Sequence, residues 1–352
     1  MFNDILATIK PLDEQAMERC QLRLDNLTKP LNSLHSFEHI ARQLAGVTGH
    51  PRPRNLEKSI IIMAADSEAA LAARGKYEQT PTAQKINNFC QGRSVINSFA
   101  EHAQAKLVLM DIGVAAELPP YAQVRHEKIA YGTANMLQGP ALTRTQTIQA
   151  IKVGIQTASE VIASGVQVIG LGEMGIAGTI SGLAVASCYS EQPLANLTGR
   201  ERVIIRRSWV VNEPDKQDPL DVLTKVGSLS MAGLVGVIIG AAVGRAAVVL
   251  DGLVTSAAAL LAVQMAPAVK DYLIGSHFAA EPGHKEVLGL LGLPAYLKLD
   301  MNLGEGTGAA LGMSLITASL HVINDMKTFG EAEVAVAQDG PGALKQNKAV
   351  RD

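Results

Sequence analysis

The sequence has little of what marks several large functional classes. Its 352 residues include three cysteines and 13 aromatic side chains, and 31 basic residues nearly balance 33 acidic ones. Because Cys20, Cys90 and Cys188 are odd in number and widely spaced, they exclude a disulfide scaffold and predict a reducing, cytoplasmic setting. The charge balance leaves no basic surplus for a phosphate backbone, so we expect no nucleic-acid partner.

The chain also lacks the pattern of a signal peptide or of a membrane span. Residues 1–10 carry an acidic residue and no apolar run. Residues 252–269 are uncharged and reach the lower length limit of a spanning helix, but they include Thr255, Gln264 and Pro267. We therefore expect this stretch to be a buried element of a soluble, cytoplasmic α/β protein with no membrane partner.

Two common catalytic signatures, the G-x-S-x-G elbow of hydrolases and the phosphate-binding loop of nucleotide triphosphatases, are missing as well. What is present is an alternation of strand-like and helix-like segments. The strand-like apolar runs are Ser59–Ala65, Lys106–Asp111, Val166–Gly170 and Ala247–Asp251, and the helical patterns between them include Ala83–Ala103 and Thr145–Ala163. This alternation predicts an α/β fold with a mostly parallel sheet, whose binding crevice lies at the carboxyl ends of the strands.

A glycine-rich segment, residues 170–182, follows the third predicted strand. Gly170, Gly172 and Gly175 satisfy the G-x-G-x-x-G spacing of dinucleotide-binding turns, which is a weak signal by itself. The acidic residue that should follow about 20 positions later at a strand end is missing, because Glu191 lies outside any predicted strand. Two interpretations remain open: an anion-binding turn before a helix that starts near Thr179, or a strand–helix joint packed through glycine.

A second glycine-rich segment, residues 303–310, encloses a lone carboxylate. Gly304 and Gly306 flank Glu305, so no bulky neighbour shields it, and the positive end of a helix predicted from Ala309 to Leu320 lies close by. The pattern indicates a carboxylate aimed at a substrate that lies against the backbone. A glutamate in a surface loop is the alternative.

A third polar segment, residues 275–284, contains His277, Glu281 and His284. These residue types suit a metal ion, but Pro282 and Gly283 break any helix that would bring both histidines onto one face. We interpret the segment as a rigid polar loop lining a pocket, and we expect neither a metal nor a cofactor.

Together and in this order, the three segments resemble the nicotinate mononucleotide:5,6-dimethylbenzimidazole phosphoribosyltransferases, the CobT family, which act in the assembly of the cobamide lower ligand. The matching stretches are Gly172–Ile176, Leu303–Ala310, Ser276–His277, Glu281–His284, Leu24–Pro30, Gly132–Asn135, Gly139–Thr143, Asp218–Leu223, Lys225–Gly227 and Leu250–Gly252. The resemblance implies a dimer and a doubly wound, Rossmann-like α/β domain over residues 56–324. It also implies a smaller helical domain formed by residues 1–55 and 325–352.

The resemblance further implies a reaction and its residues. Ribose 5-phosphate moves from nicotinate mononucleotide to an aromatic acceptor, with inversion to an α-riboside. Glu305 is the general base that takes the proton of the acceptor, and Glu173 supplies a second carboxylate. The implied donor-binding residues are Gly172, Gly175, Ile176, Gly178, Thr179, Gly304, Gly306, Thr307 and Gly308, and the implied acceptor-binding residues are Tyr77, Gln84 and Leu303.

The sequence also departs from the family pattern. Residues 66–69 and 74–77 replace family residues near the acceptor pocket, so a phenol is an alternative acceptor to dimethylbenzimidazole. Residues 175–180 lose polar groups near the donor phosphate. The glycine-rich phosphate loop is cut short by about ten residues after Thr198, which removes backbone amides that would cradle an anion. Arg202, Arg206 and Arg207 are candidates to grip the phosphate instead.

Three functions therefore remain open. The chain is a self-sufficient transferase, or a degenerate subunit that completes a heterodimer with an active paralogue, or a non-catalytic ligand-binding protein. The altered phosphate region favours the second function, and the intact segment 303–310 favours the first. The first and second functions also differ in predicting a homodimer or a heterodimer.

Overall fold

A computed structural model of the chain describes residues 2–68, 81–176, 178–190, 197, 199–338 and 340–351. The strands are β1 (Glu57–Ala65), β2 (Ala105–Gly113), β3 (Val124–His126), β4 (Val166–Met174), β5 (Ala247–Val249), β6 (Leu273–Ile274), β7 (His277–Phe278) and β8 (Leu297–Lys298). The α-helices are α1 (Phe2–Leu6), α2 (Glu14–Asn26), α3 (Ser36–Thr48), α4 (Thr82–Cys90), α5 (Val95–Ala103), α6 (Arg144–Ala163), α7 (Gly178–Tyr189), α8 (Gly199–Asn212), α9 (Pro219–Val226), α10 (Leu229–Val243), α11 (Leu253–Met265), α12 (His284–Leu291), α13 (Thr307–Asp325), α14 (Phe329–Ala332) and α15 (Gly340–Lys345). A 3₁₀ helix spans Pro267–Tyr272.

The main sheet has six strands in the order β3-β2-β1-β4-β5-β6, and each neighbouring pair is parallel. This confirms the predicted parallel α/β fold, and the order is that of a doubly wound, Rossmann-like sheet. The strand order reverses between β1 and β4. Strands β2 and β3 lie on one side of β1, whereas β4, β5 and β6 lie on its other side. In open α/β sheets ligands bind at such a switch point, outside the carboxyl ends of the strands.

The four predicted apolar runs lie in β1, β2, β4 and β5, which are buried over most of their length. Two details differ from the prediction. The predicted run Lys106–Asp111 ends at Asp111, but β2 continues to Gly113, so Asp111 lies inside the strand. The helix predicted over residues 83–103 is divided into α4 and α5, because Gly92 adopts a φ of 69° and Ser94 forms a capping box that starts a new helix.

Small side chains allow the helices to pack closely against one another. A Cβ atom on Gly236 of α10 would lie 2.0 Å from the carbonyl oxygen of Ile151 in α6, so only glycine permits this approach. The uncharged stretch that raised the question of a membrane span, residues 252–269, contains α11, which is largely buried inside the protein. Among the helices that the structure describes, none is long and apolar enough to cross a membrane.

By its internal contacts the chain divides into two compact units. The larger consists of Met1–Ile9 and Glu57–Gly312, and it contains both sheets. The smaller consists of Lys10–Leu56 and Met313–Asp352. The predicted division into domains of residues 56–324 and of residues 1–55 with 325–352 stays a prediction.

The smaller unit is helical and has its own hydrophobic core. The core is formed by Cys20, Leu24, Leu27, Ala41, Ala45 and Ile323. Two ion pairs are buried beside it: Arg23 with Glu331 at 3.0 Å and Lys29 with Glu38 at 2.9 Å.

Candidate active site

Asp66, directly after β1, holds together the loops that surround the switch point of the sheet. Its Oδ1 atom accepts hydrogen bonds from the hydroxyl of Thr82 and from the backbone N–H of Ile176, the latter at 3.2 Å. Its Oδ2 atom accepts from the N–H of Ala115 at 2.9 Å. One carboxylate thus joins the ends of β1, β2 and β4 to the start of α4.

Glu305 lies in a loop with an uncommon backbone conformation. Gly304, Glu305 and Gly306 have φ values of 77°, 61° and 89°, so three consecutive residues occupy the left-handed region. Glycine enters this region freely, whereas a glutamate there is strained and persists only where its surroundings hold it. The N–H of Glu305 donates to the carbonyl oxygen of Glu173 at 3.2 Å, and the residue is 7% exposed. The loop therefore presents a buried carboxylate at the end of β4, which excludes the surface-loop interpretation.

Asp251 is the residue that holds this loop in place. Its Oδ2 atom accepts the N–H of Gly306 at 2.8 Å, and its Oδ1 atom accepts the N–H of Gly308 at 2.7 Å. Burial raises the pKa of Asp251 to about 6, although the hydrogen bonds from Gly306 and Gly308 act in the opposite direction. In the sequence Asp251 is the last residue of a strand-like run and part of a matching stretch, but its role in holding this loop was not predicted. Its place at the end of a predicted strand was the available signal.

The glycine-rich segment begins within β4 rather than after it, because the strand continues to Met174, and its glycines pack closely against the rest of the chain. A Cβ atom on Gly172 would lie 2.8 Å from the carbonyl carbon of Glu305, and one on Gly175 would lie 1.8 Å from the carbonyl oxygen of Ala65. A Cβ atom on Gly178 would lie 2.8 Å from the carboxyl group of Glu173. The glycines therefore bring β1, β4 and the Glu305 loop into contact, as the packed-joint interpretation requires.

Glu173 is the second carboxyl group at the switch point. It lies on β4 and accepts a hydrogen bond from the hydroxyl of Ser230 at 3.3 Å. Burial raises the pKa of Glu173 to about 8, and the positive charge of Lys85 opposes that increase. A pKa of about 8 favours the protonated form of Glu173 at neutral pH, so the site can hold one protonated carboxyl group beside a carboxylate.

Lys85 is a further site residue that sequence analysis missed. Its ammonium nitrogen lies 3.7 Å from Oε1 of Glu305. Burial raises the pKa of Glu305, and the charge and hydrogen bond of Lys85 lower it. No motif marks Lys85, and only its position after the predicted acceptor residue Gln84 could have drawn attention to it.

Glu281 and His284 stabilise the neighbouring loop. Glu281 accepts the N–H of Leu253 at 2.8 Å, at the start of α11, and the hydroxyl of Thr179 at 3.4 Å. The Nδ1 atom of His284 accepts the N–H of Ala279 at 3.0 Å, so its Nε2–H donates to Ser256 at 3.1 Å. Burial lowers the pKa of His284 to about 4. In the part of the chain that the structure describes, no three His, Cys, Asp or Glu side chains form a group suited to a metal ion.

The remaining predicted site residues fall into two groups. Those of the donor set, namely Gly172, Gly175, Ile176, Gly178, Thr179, Gly304, Gly306, Thr307 and Gly308, lie in the two segments that meet at the switch point. Of the acceptor set, Gln84 is exposed on α4, Leu303 is 47% exposed, and Tyr77 lies outside the described residues. On α8, Arg202 donates to the carbonyl oxygen of Leu197 at 3.3 Å, while Arg206 and Arg207 are exposed.

This arrangement suits proton removal beside a developing positive charge. Glu305 and Asp251 are buried acidic groups, and electrostatic interactions are stronger at buried positions than in bulk solvent. Asp251 already occupies the amino end of α13 and Glu281 that of α11. An N–H group at the start of each of these two helices is therefore already bonded to a carboxylate of the protein itself.

Comparison with known proteins gives a consistent result. A family model described as Phosphoribosyltransferase matches residues 9–334. The nicotinate-nucleotide–dimethylbenzimidazole phosphoribosyltransferase of Chloroflexus aggregans is 44% identical over 338 residues, which cover 93% of this chain and 96% of that protein. The protein of the same name from Roseiflexus sp. (strain RS-1) is 41% identical over 346 residues, 95% of this chain and 98% of that one.

A solved structure agrees with the sequence relatives. The crystal structure of the nicotinate-nucleotide–dimethylbenzimidazole phosphoribosyltransferase from Thermus thermophilus superposes with a TM-score of 0.85 at 34% identity, and the match covers 92% of this chain and 99% of that one. Likeness in sequence, in fold and over nearly the full length of both chains leads to one conclusion. The chain is a phosphoribosyltransferase and belongs to the nicotinate mononucleotide:5,6-dimethylbenzimidazole phosphoribosyltransferase (CobT) family.

Proposed function

We propose that the chain transfers ribose 5-phosphate from nicotinate mononucleotide to an aromatic acceptor, dimethylbenzimidazole or a phenol, and so forms the α-riboside 5-phosphate used in cobamide synthesis. The observation that carries the proposal is the buried carboxylate of Glu305, held in a left-handed loop at the switch point of the sheet. The names of the relatives support the donor and the acceptor class.

In the proposed reaction the bond between the ribose carbon and the nicotinate nitrogen breaks, and a bond to the acceptor nitrogen or oxygen forms on the opposite face. The bonding electrons stay with nicotinate, which leaves as a neutral pyridine. Positive charge grows on the ribose carbon during this exchange, and a nearby carboxylate stabilises it. The acceptor loses its proton to Glu305 as it attacks.

We assign different roles to the two glutamates because their surroundings differ. Lys85 favours the ionised form of Glu305, which a base requires. Glu173 carries a proton at neutral pH because burial raises its pKa to about 8, so it acts as a hydrogen-bond donor to a substrate oxygen or nitrogen. Two carboxyl groups with separated pKa values commonly divide such roles.

For the donor we propose the segments Gly172–Thr179 and Gly304–Gly308. Among their glycines Gly304 leaves the most room, since a Cβ atom there would meet nothing closer than 3.8 Å, and the N–H groups at the start of α7 suit an anion. Arg202, Arg206 and Arg207 remain candidates for the donor phosphate. For the acceptor we propose Gln84, Leu303 and Tyr77.

We also propose that the enzyme is a dimer. Its partner is a second copy of the chain or a paralogous subunit. Every relative reported above bears the name of a transferase, and none of these comparisons supports a non-catalytic subunit or a ligand-binding protein. We therefore take the self-sufficient enzyme as the working assignment.

The test is turnover by the purified chain alone, with nicotinate mononucleotide and either dimethylbenzimidazole or phenol. Product with one acceptor supports a self-sufficient site and identifies the acceptor class. Glu305→Gln should lower kcat by about 10²–10⁴-fold, the usual effect of removing a general base. Glu101→Gln, at an exposed position of α5, is the matched control and should leave kcat unchanged.

Two results would contradict the proposal. Wild-type turnover by Glu305→Gln would exclude Glu305 as the base. Folded chain without product, together with product once a paralogous subunit is added, would show instead that this chain is one half of a heterodimer.

A further inference from the structure

Lys85 interacts electrostatically with both carboxyl groups of the site, those of Glu305 and Glu173. Its ammonium nitrogen lies 3.7 Å from Oε1 of Glu305, and its charge also acts on Glu173. The Lys85 side chain is 29% exposed, so water screens it only partly. An ion pair of this kind is stronger than one on an open surface.

Among the described residues, the other charged or titratable groups around Glu305 are not cations at neutral pH. Glu173 on β4 touches the Glu305 backbone, and Asp251 after β5 bonds the next residue of the loop. The ring of His277 lies against Gly308, and burial lowers the pKa of this histidine. Within the described part of the site, Lys85 is thus the cation that compensates for the burial of Glu305.

The helix that carries Lys85 is fixed at its start. Its first residue, Thr82, donates its hydroxyl hydrogen to Asp66, the carboxylate that joins the loops of the switch point. Ile86 and Phe89 are also buried and pack the helix against the rest of the protein. The helix therefore holds the ammonium group of Lys85 at a fixed position beside Glu305. A fixed position is needed if Lys85 is to have a constant effect on the ionisation of Glu305.

We propose that Lys85 is a positioning residue for the transfer reaction: its ammonium group keeps Glu305 ionised and oriented at the pH where the enzyme works. This inference rests on the proposed role of Glu305 as the base. Lys85 does not itself exchange a proton with the substrate. It acts by raising the fraction of enzyme molecules in which Glu305 is ionised and can accept a proton.

This role predicts a specific signature in the pH dependence. Without Lys85 the carboxyl group of Glu305 holds its proton to higher pH, so the acidic limb of kcat/KM moves upward. Once the pH is high enough to ionise Glu305, activity returns, because the base is intact and its pKa is higher. A residue with only a structural role would lower activity by the same factor at every pH.

The experiment compares Lys85→Met, which keeps the length of the side chain, with Lys85→Arg, which keeps the charge. Lys152→Met, at an exposed position of α6, is the control for the same substitution. We expect kcat/KM of Lys85→Met to fall by about tenfold or more at pH 6, the scale on which a neighbouring cation acts on a carboxyl group. The loss should shrink to about twofold by pH 9 and should appear in kcat rather than in the KM for nicotinate mononucleotide. Lys85→Arg should retain most of the activity.

A second measurement makes the test independent of turnover. With ¹³C-labelled glutamate, the carboxyl resonance that disappears in Glu305→Gln is assigned to Glu305 and titrated in wild type and in Lys85→Met. An upward shift of its titration midpoint in Lys85→Met supports the inference even if neither acceptor gives product, in which case only the proposed function fails. An unchanged midpoint, or a pH-independent loss of kcat/KM, overturns the role of Lys85 while leaving the proposed function standing.

Discussion

Replacing Gly172 by alanine tests whether the close contact between β4 and the Glu305 loop matters for catalysis. The new Cβ atom would lie 2.8 Å from the carbonyl carbon of Glu305. It would also lie 2.9 Å from the carbonyl oxygen of Glu305 and 2.9 Å from the backbone nitrogen of Gly306. All three are backbone atoms, so no side chain can rotate away to relieve the clash. Moving from 2.8 Å to the 3.4 Å at which ordinary contact begins requires the loop to retreat by about 0.6 Å.

The loop cannot retreat freely, because Asp251 holds the N–H groups of Gly306 and Gly308 at 2.8 and 2.7 Å. Overpacking of this kind costs about 1–3 kcal/mol of stability. A displacement of about 1 Å at a reacting group can cost 10²-fold in rate, so a shift of this size at Glu305 should lower kcat by roughly 10–10²-fold. We expect Gly172→Ala to lose about 3–8 °C in Tm as well.

The assay measures kcat, the KM for both substrates and Tm for Gly172→Ala and for Gly289→Ala. A methyl group at Gly289, an exposed position in α12, meets nothing within 4 Å, so this control should keep the wild-type kcat and Tm. Wild-type kcat in Gly172→Ala would refute the reasoning that the glycine contact fixes the catalytic carboxylate. A lower Tm with unchanged kcat would show that the contact serves stability alone.

Three further predictions concern stability. Because the pKa of Glu173 is raised from 4.5 to about 8, the folded state retains a proton that the unfolded state releases between these pH values. The free energy of unfolding should therefore fall as pH rises from 4.5 to about 8. In urea titrations at several pH values, Glu173→Gln should make this fall smaller. Because the pKa of His284 is lowered from 6.5 to about 4, its contribution is complete above pH 6.5 and is lost as pH falls towards 4, so His284→Gln should reduce the loss of Tm in that range. In the smaller unit, Lys29→Met leaves Glu38 buried without its cation and should cost about 3–5 kcal/mol in urea unfolding, whereas Lys29→Met with Glu38→Gln should recover much of it.

Local patterns in the sequence were sufficient to predict the parallel sheet. The apolar runs that became β1, β2, β4 and β5 are buried along most of their length, and a strand buried on both faces requires that composition wherever it lies in the chain. The break between α4 and α5 was missed because apolar periodicity continues through it. There the left-handed Gly92 and the Ser94 capping box decide the local structure.

The candidate site was only partly accessible from the sequence. The flanking glycines singled out Glu305, and the resemblance to a known family supplied its expected role. The glycine-rich segment after β4 had two interpretations, because glycine spacing alone does not say whether a ligand or the protein's own backbone lies against it. The contacts of Gly172 and Gly175 with the chain itself answer that question.

The sequence by itself was enough to identify the fold class, the family and Glu305 as a candidate site residue. Each of these follows from the residue types in short stretches of the chain. Only the tertiary structure decided what surrounds that carboxylate. Lys85 and Asp251 are distant from Glu305 in sequence, and no local pattern marks them as its partners. They meet at the carboxyl ends of the strands because the sheet reverses its order between β1 and β4, and the pKa of a buried carboxyl group depends on the neighbours that this topology brings to it.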